Sequence, residues 1–190
     1  MNLYDLHDDQ TKLDHHDRQH EVVPDLIIKH GQKTGKYDEV IMAKHGITAL
    51  YYAQRVLHGP FKLGEPALAK KPWLAFEYAD EVLQGPFKLG EPVIARYKEI
   101  ARLYAQDVLY GPFKLGEPAI AKSGSCSYAY AADVLHGRFE LGEPAIATSP
   151  ELSCEYAMTV LKSRFELGEP TIAKNSFRKN MYEKHFKITL

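Results

Sequence analysis

The hydrophobic and polar positions of this chain follow a pattern that repeats every 26 residues. In each period a Tyr-Ala pair is followed by Val-Leu and then by Phe-x-Leu-Gly-Glu-Pro, without insertion or deletion. A fixed period of this length is typical of tandem repeat proteins. Residues 39–46 match part of a further copy, ahead of the five complete ones. The complete copies are 47–72, 73–98, 99–124, 125–150 and 151–176.

Each copy predicts one long helix and one short helix, which we name the A helix and the B helix. In the second copy Leu74, Tyr78 and Val82 are spaced four residues apart, which places them on one face of a helix over about 72–84. The Glu-Pro pair further along predicts a short B helix with proline in its first turn. A glycine after the A helix is expected to end it, as C-terminal glycines do. These glycines are Gly59, Gly85, Gly111 and Gly137.

The segment between the two helices alternates between apolar and charged residues. Phenylalanine and leucine flank a residue that is Lys in three copies and Glu in two. This alternation predicts an extended segment with both apolar side chains inward and the charged one in water. A change of Lys114 to Glu is therefore expected to be nearly neutral.

A unit of this size cannot bury its apolar face alone, so successive copies are expected to stack. The predicted fold is all-α, an α-solenoid of five helix–loop–short-helix repeats and a partial sixth, with non-repeat terminal caps. Two columns are expected to be structural: tyrosines in the core with the hydroxyl on a polar partner, and glutamates that satisfy N–H groups where each B helix begins. The alternatives are rings that stack bases and carboxylates that bind a cation or a basic partner. The columns are Tyr52, Tyr78, Tyr104, Tyr130, Tyr156 and Glu65, Glu91, Glu117, Glu143, Glu169.

Composition narrows the class of protein. The 190 residues are 45% hydrophobic and 26% charged with a formal net charge of −1, so a uniformly basic nucleic-acid-binding surface is disfavoured. The apolar runs are far shorter than the roughly 20 residues that span a bilayer, and the N-terminus does not resemble a signal peptide. Two cysteines suit a reducing compartment, and we expect a cytoplasmic protein without a membrane association.

The two ends differ in charge from each other and from the repeats. Residues 1–38 form an acidic, His-rich arm or cap, and 1–33 carry a net charge of −3. Residues 177–190 predict a basic amphipathic cap, and 174–190 carry +4. Since Phe177 and other apolar residues of this segment suggest a stripe that covers the last copy, we expect a monomer. Head-to-tail association of the oppositely charged ends is the alternative.

Candidate chemistry is sparse. His16 and His20 are one helical turn apart and suit a transition metal, but a solvated polar arm is the favoured interpretation. Neither a phosphate-binding glycine loop nor a nucleophile–base arrangement stands out from the repeat columns. We therefore expect no enzymatic activity and no cofactor.

Positions that vary between copies are the candidates for recognition. They lie on the outer part of the A helix and at its end, where a helical-repeat code would place its specificity residues. Acidic residues there disfavour RNA as the ligand. The candidate partner-binding residues are Arg55, His58, Glu81, Gln84, Asp107, Tyr110, Asp133 and His136.

The unit Tyr-Ala-x-x-Val-Leu-x-Gly-Arg/Pro-Phe-x-x-Gly-Glu-Pro-x-Ile-Ala resembles the short tandem helical repeats of uncharacterised bacteriophage and bacterial proteins, over about 39–176. The resemblance implies a binding scaffold. The leading hypothesis is a non-enzymatic repeat protein that binds a protein partner, a host protein if the chain is phage-encoded. The alternatives are a helical-repeat protein that binds RNA or a nucleotide, and a structural protein that assembles end to end.

Overall fold

A computed structural model of the chain describes residue 31 and residues 33–190. These residues form helices and turns, without a strand among them. The all-α repeat fold predicted from the sequence is therefore confirmed. The chain divides into two compact units, Met1–Leu68 and Ala69–Leu190, and each is described by itself. None of the described helices is long and apolar enough to cross a membrane.

The A helix of each copy begins as an α-helix and continues as a π-helix. The change occurs at or next to the repeated tyrosine. The Tyr104 N–H still bonds four residues back, to Ile100, whereas the Tyr104 carbonyl accepts from the N–H of Leu109, five residues ahead, at 2.9 Å. The α-helical parts are Gly46–Tyr52, Pro72–Glu77, Lys98–Leu103, Gly124–Ala129 and Pro150–Glu155. The π-helical parts are Ala53–Leu57, Tyr78–Leu83, Tyr104–Val108, Tyr130–Leu135 and Tyr156–Leu161.

The A helix ends on a left-handed residue that is not glycine, which corrects the expected glycine terminus. The left-handed residue of the second copy is Gln84, with φ of 48°. Gly85 follows it and donates its N–H to the carbonyl of Ala79 at 3.1 Å, six residues back. The bond spans six residues because the A helix ends in a π turn, and the left-handed residue therefore comes one residue before the glycine. A Cβ on Gly85 would meet nothing closer than 3.8 Å, which explains how serine occupies the same place at position 163.

The segment after the A helix forms a helical turn, so the predicted extended segment was wrong. Lys62–Gly64 and Glu140–Gly142 are 3-10 helices, and the other copies have turns there. Phe113 is buried, whereas Leu115 is 55% exposed. In a strand, residues two apart share a face, but in a helical turn they lie on different sides. The phenylalanine therefore enters the core and the leucine does not.

The B helices are four residues long and begin at the repeated glutamate. Their last residue is buried in every copy, and isoleucine at that place is 0% exposed. The glycine before each B helix is sterically required: a Cβ on Gly116 would lie 2.5 Å from the Phe113 ring and 2.8 Å from Ala101. The B helices are Glu39–Met42, Glu65–Leu68, Glu91–Ile94, Glu117–Ile120, Glu143–Ile146 and Glu169–Ile172.

Stacked copies build the second unit. Each A helix contacts the next one along the chain, and the last contacts a terminal helix, Ser176–Phe186. This helix takes the place of a further A helix, because Tyr182 follows Tyr156 by one period and is 0% exposed. Of the residues expected in an amphipathic stripe, Phe177 is 69% exposed and takes no part in this contact, whereas Met181 and Phe186 are half-buried. The terminal helix covers the last copy through the repeat register instead.

The first unit contains the partial copy and most of the first complete one. Asp38 accepts a hydrogen bond from the Ile41 N–H at 3.1 Å and so caps the first described B helix. Tyr52 donates to a carboxylate oxygen of Glu39 at 2.9 Å, and its ring lies 4.9 Å from the ring of Phe61. The most N-terminal residues of this unit, including most of the predicted acidic arm, lie outside the described residues.

Candidate functional site

The tyrosine column links neighbouring copies of the second unit. The hydroxyl of Tyr130 accepts a hydrogen bond from the Phe113 N–H at 2.9 Å and donates to Glu117 at 3.0 Å. Its ring packs edge-on against Phe139 of its own copy, with 5.0 Å between centroids. We name this arrangement the tyrosine bridge, because one side chain fastens the loop and the B helix of the preceding copy. The same bridge is made by Tyr104, Tyr156 and Tyr182.

The environment of the bridge keeps these hydroxyls protonated. Burial, together with the neighbouring Glu143, raises the pKa of Tyr156 to about 12. Burial likewise raises the pKa of Tyr104 and Tyr130. A buried, protonated hydroxyl that already donates to a carboxylate is a structural group, and its ring does not offer a face for stacking on a base.

The glutamate column does not serve as the N-terminal cap that the sequence suggested. The carboxylate of Glu117 accepts from the Tyr130 hydroxyl and from Lys114 Nζ, the latter at 2.9 Å. The N–H groups at the start of this B helix bond to backbone carbonyls instead, that of Glu117 to Phe113 at 3.2 Å and that of Ala119 to Gly116 at 3.0 Å. The Tyr130 hydroxyl belongs to the next copy and Lys114 to the same one, so the carboxylate joins two copies and does not serve its own helix N–H groups.

The cation that neutralises this glutamate changes place between copies. In the first three copies it is a lysine three residues before the glutamate, as in Lys114–Glu117. In the last two copies that position is itself glutamate, and an arginine five residues before takes over. Arg138 contacts Glu143 at 2.7 Å, and Arg164 makes two 2.7 Å hydrogen bonds to Glu169. The Arg164 guanidinium, helped by the Tyr182 hydroxyl, lowers the pKa of Glu169. The charged position is therefore coupled to its neighbours and not free to change sign.

The candidate partner-binding residues lie at or near the surface of their units. Asp107 is half-buried, and burial together with Asp80 raises the pKa of its carboxyl. The residue that ends each A helix is left-handed and exposed, and Tyr110 there is 85% exposed. The structure places Arg55 and His58 in the first unit and Glu81, Gln84, Asp107, Tyr110, Asp133 and His136 in the second.

A row of exposed leucines is the feature that the sequence interpretation missed. The leucine before each B-helix glycine is between 52% and 55% exposed. The proline two residues after that glycine is exposed as well. We name the four such leucines of the second unit the leucine ladder: Leu89, Leu115, Leu141 and Leu167. Leu63 is the equivalent residue of the first unit and is 53% exposed.

Metal and small-molecule chemistry find little support in the part of the chain that is described. Groups of three or more side chains able to hold a metal are absent from it, and the candidates His16 and His20 lie outside the described residues. A shallow pocket of about 200 Å³ is lined by Arg96, Tyr97 and Lys122 among others, below the roughly 300–1,000 Å³ of typical ligand sites. Cys154 is fully buried, and burial raises the pKa of its thiol. Neither feature indicates a reactive centre.

Comparison with known proteins does not assign the chain to a family. No family model, no curated protein and no solved structure matches the chain.

Proposed function

We propose that the chain is a non-enzymatic repeat scaffold that binds a protein partner, and that the leucine ladder is the binding surface. The single observation that supports this is that an exposed leucine recurs in all five copies although it lies outside the core. Rows of exposed apolar residues mark interaction sites on otherwise soluble proteins. The proposed setting is the cytoplasm.

The chemistry of the ladder suits a protein better than a nucleic acid. Leucine and proline offer no charge to phosphate, and the residue beside the leucine is lysine in three copies but glutamate in two, at Glu140 and Glu166, so the row has no continuous basic stripe. Base stacking would need exposed aromatic rings, whereas the repeated Tyr and Phe rings are buried. An apolar row of this kind suits an apolar face of another protein.

The variable residues at the ends of the A helices provide a second candidate surface. Each left-handed residue there costs about 1–2 kcal/mol relative to an ordinary backbone conformation, less for glycine. Five copies nevertheless carry a side chain at this place, and the side chain differs among most of them. If the resemblance to phage repeats holds, these residues would select the host protein while the ladder supplies the apolar contact.

A capture experiment with two matched variants tests the proposal. The ladder variant changes Leu89, Leu115, Leu141 and Leu167 to Ser. The control variant changes an equal number of exposed residues at the A-helix ends to Ser, namely Glu81, Gln84, Asp133 and His136. Proteins retained from a nuclease-treated lysate of the native cells are identified by mass spectrometry. Nuclease treatment removes partners held only through RNA.

Loss of the retained proteins in the ladder variant alone supports the leucine ladder as the binding surface. Loss in the control variant alone would move the site to the variable residues. Equal retention by both variants and the wild type would contradict the proposal. A partner that disappears only after nuclease treatment would favour nucleic-acid binding instead.

A further inference from the structure

Equivalent residues of the second unit form rows, because its copies stack by the same contacts from one A helix to the next. At the usual helix-to-helix distance of roughly 8–10 Å, the four ladder leucines span about 24–30 Å. The residue before each leucine is strongly exposed and charged. These residues are Lys88 and Lys114 in the first two of the four copies, then Glu140 and Glu166 in the last two.

The ladder is therefore apolar along its whole length, with exposed lysines beside one half and exposed glutamates beside the other. The side chains of Lys88 and Lys114 are 77% and 78% exposed, and that of Glu140 is 83% exposed. A surface of this kind is complementary to itself after a rotation of 180°. The structure points to a second copy of this chain as the partner of the ladder.

We propose that the leucine ladders of two molecules of this protein pair in antiparallel orientation, around a two-fold axis that passes between Leu115 and Leu141. This inference rests on the proposed function, namely that the ladder binds protein. Lys114 of one molecule then faces Glu140 of the other, and Lys88 faces Glu166 of the other. Because both patches are the same surface, the contact closes on itself and stops at a dimer.

The charges select this orientation over a parallel one. In a parallel pair each lysine would face a lysine and each glutamate a glutamate, which is unfavourable at close range. Both halves hold ion pairs within the chain: Lys88 and Lys114 contact Glu91 and Glu117 at 2.9 Å, and Arg138 and Arg164 contact Glu143 and Glu169 at 2.7 Å. Glu140 and Glu166 therefore add negative charge that the two arginines do not balance, and in antiparallel order the exposed ammonium groups of the lysines lie opposite them. Glu140 lies 3.9 Å from Arg138 and remains strongly exposed, so its carboxylate is accessible to a second molecule of the protein.

Sedimentation velocity of the full chain over a range of concentrations tests the dimer. We expect dimerisation that weakens at least roughly tenfold when Leu115 and Leu141 are both changed to Ser, as for central residues of an interface. Phe177→Ser is the matched control, since Phe177 is more exposed but lies on the terminal helix and not on the ladder. It should leave the dimer unchanged, and circular dichroism checks that each variant is folded.

Charge reversal tests the orientation. Lys114→Glu and Glu140→Lys should each weaken the homodimer, because each brings two like charges together across the axis. A one-to-one mixture of the two variants should restore the affinity, since every pair across the interface is again opposite in charge. A defect confined to one chain would not be repaired by mixing. Rising salt should weaken the charge component as the screening length falls from about 10 Å at 0.1 M to about 3 Å at 1 M.

Two results would overturn the inference. One is a monomer at every concentration up to roughly 1 mM, the weak end of specific association. The other is a dimer whose charge variants are not rescued by mixing. The capture experiment remains independent of both: if the wild type is monomeric but the ladder variant still loses its captured protein, only the self-pairing is wrong. If neither readout responds to the ladder, the proposed function fails with it.

Discussion

The tyrosine bridge offers the sharpest test of how the copies are held together. The change Tyr130→Phe removes one oxygen atom and leaves the ring, which continues to pack on Phe139. It deletes the acceptor of the buried Phe113 N–H and one of the two donors on Glu117. The perturbation therefore separates hydrogen bonding from apolar packing.

The magnitude follows from what each partner loses. An unsatisfied buried N–H costs about 1–3 kcal/mol, and a lost hydrogen bond to a charged group costs a similar amount. Glu117 keeps Lys114 and is 12% exposed, so its share is at the low end. We expect Tyr130→Phe to lower the free energy of unfolding by roughly 2–4 kcal/mol. Tyr110→Phe is the matched control: its side chain is 85% exposed, and a change of less than about 0.5 kcal/mol is expected.

Urea unfolding measures the free energy of both variants, and amide hydrogen exchange follows the Phe113 N–H directly. Protection of this amide should fall more in Tyr130→Phe than that of amides in the terminal helix. The bridge would be refuted as a stabilising element if the two tyrosine variants unfolded alike. It would also be refuted if Phe113 exchange did not change, since the amide would then have another acceptor.

Three further predictions concern the turn, the ion pair and the pH dependence. Gly116→Ala should lower the free energy of unfolding in urea by about 1–3 kcal/mol, because the new Cβ meets the Phe113 ring. The control Gly111→Ala has 3.8 Å of clearance and should be neutral or slightly stabilising, so equal effects of the two changes would contradict the assigned packing. Lys114→Glu should lower the free energy of unfolding by about 0.5–1 kcal/mol rather than be neutral, because Glu117 loses its lysine. Adding Pro112→Arg should restore stability, since arginine at this place pairs with the glutamate in the last two copies. A double variant no more stable than the single one would refute the replacement of lysine by arginine as the partner of this glutamate. The pKa of Tyr156 and Tyr182 rises from 10.0 to about 12 on folding. The melting temperature should therefore stay constant up to about pH 10 and fall between pH 10 and 12, because the unfolded tyrosines lose their protons first. A Tyr156→Phe variant should lose part of this pH dependence.

The helices and the core columns could be predicted because they depend on spacing alone. Leu74, Tyr78 and Val82 mark one helix face at any helical pitch close to 3.6 residues per turn. The π turn could not be inferred, because residues at intervals of four and five fit both kinds of helix over so short a segment. The left-handed residue before Gly85 was missed for the same reason, since its position depends on the extra residue in the last turn.

The exposed leucine could have been inferred from its neighbours. The Gly-Glu-Pro that follows begins a helix, so the residues just before it are placed to form a helical turn rather than a strand. Two residues of alternation are too few to choose between these periods, and the strand period was the wrong choice. The terminal helix was hidden differently: Tyr182 is followed by glutamate and not by alanine, so the tyrosine register could not be recognised from the sequence pattern.

The last two copies show that the repeat varies in linked sets and not one position at a time. Where lysine beside the leucine becomes glutamate, proline becomes arginine two residues earlier, and an alanine of the A helix becomes serine. Ser127 donates to the carbonyl of Ile120 at 3.1 Å, and Ser153 donates to Ile146 in the same way. These substitutions keep the B-helix glutamate paired and add a hydrogen bond between copies, while the charge beside the leucine is reversed. The reversal places glutamate beside the leucine in the last two copies and lysine in the two before them, the pattern of exposed charge on which the proposed antiparallel pairing of the ladder depends.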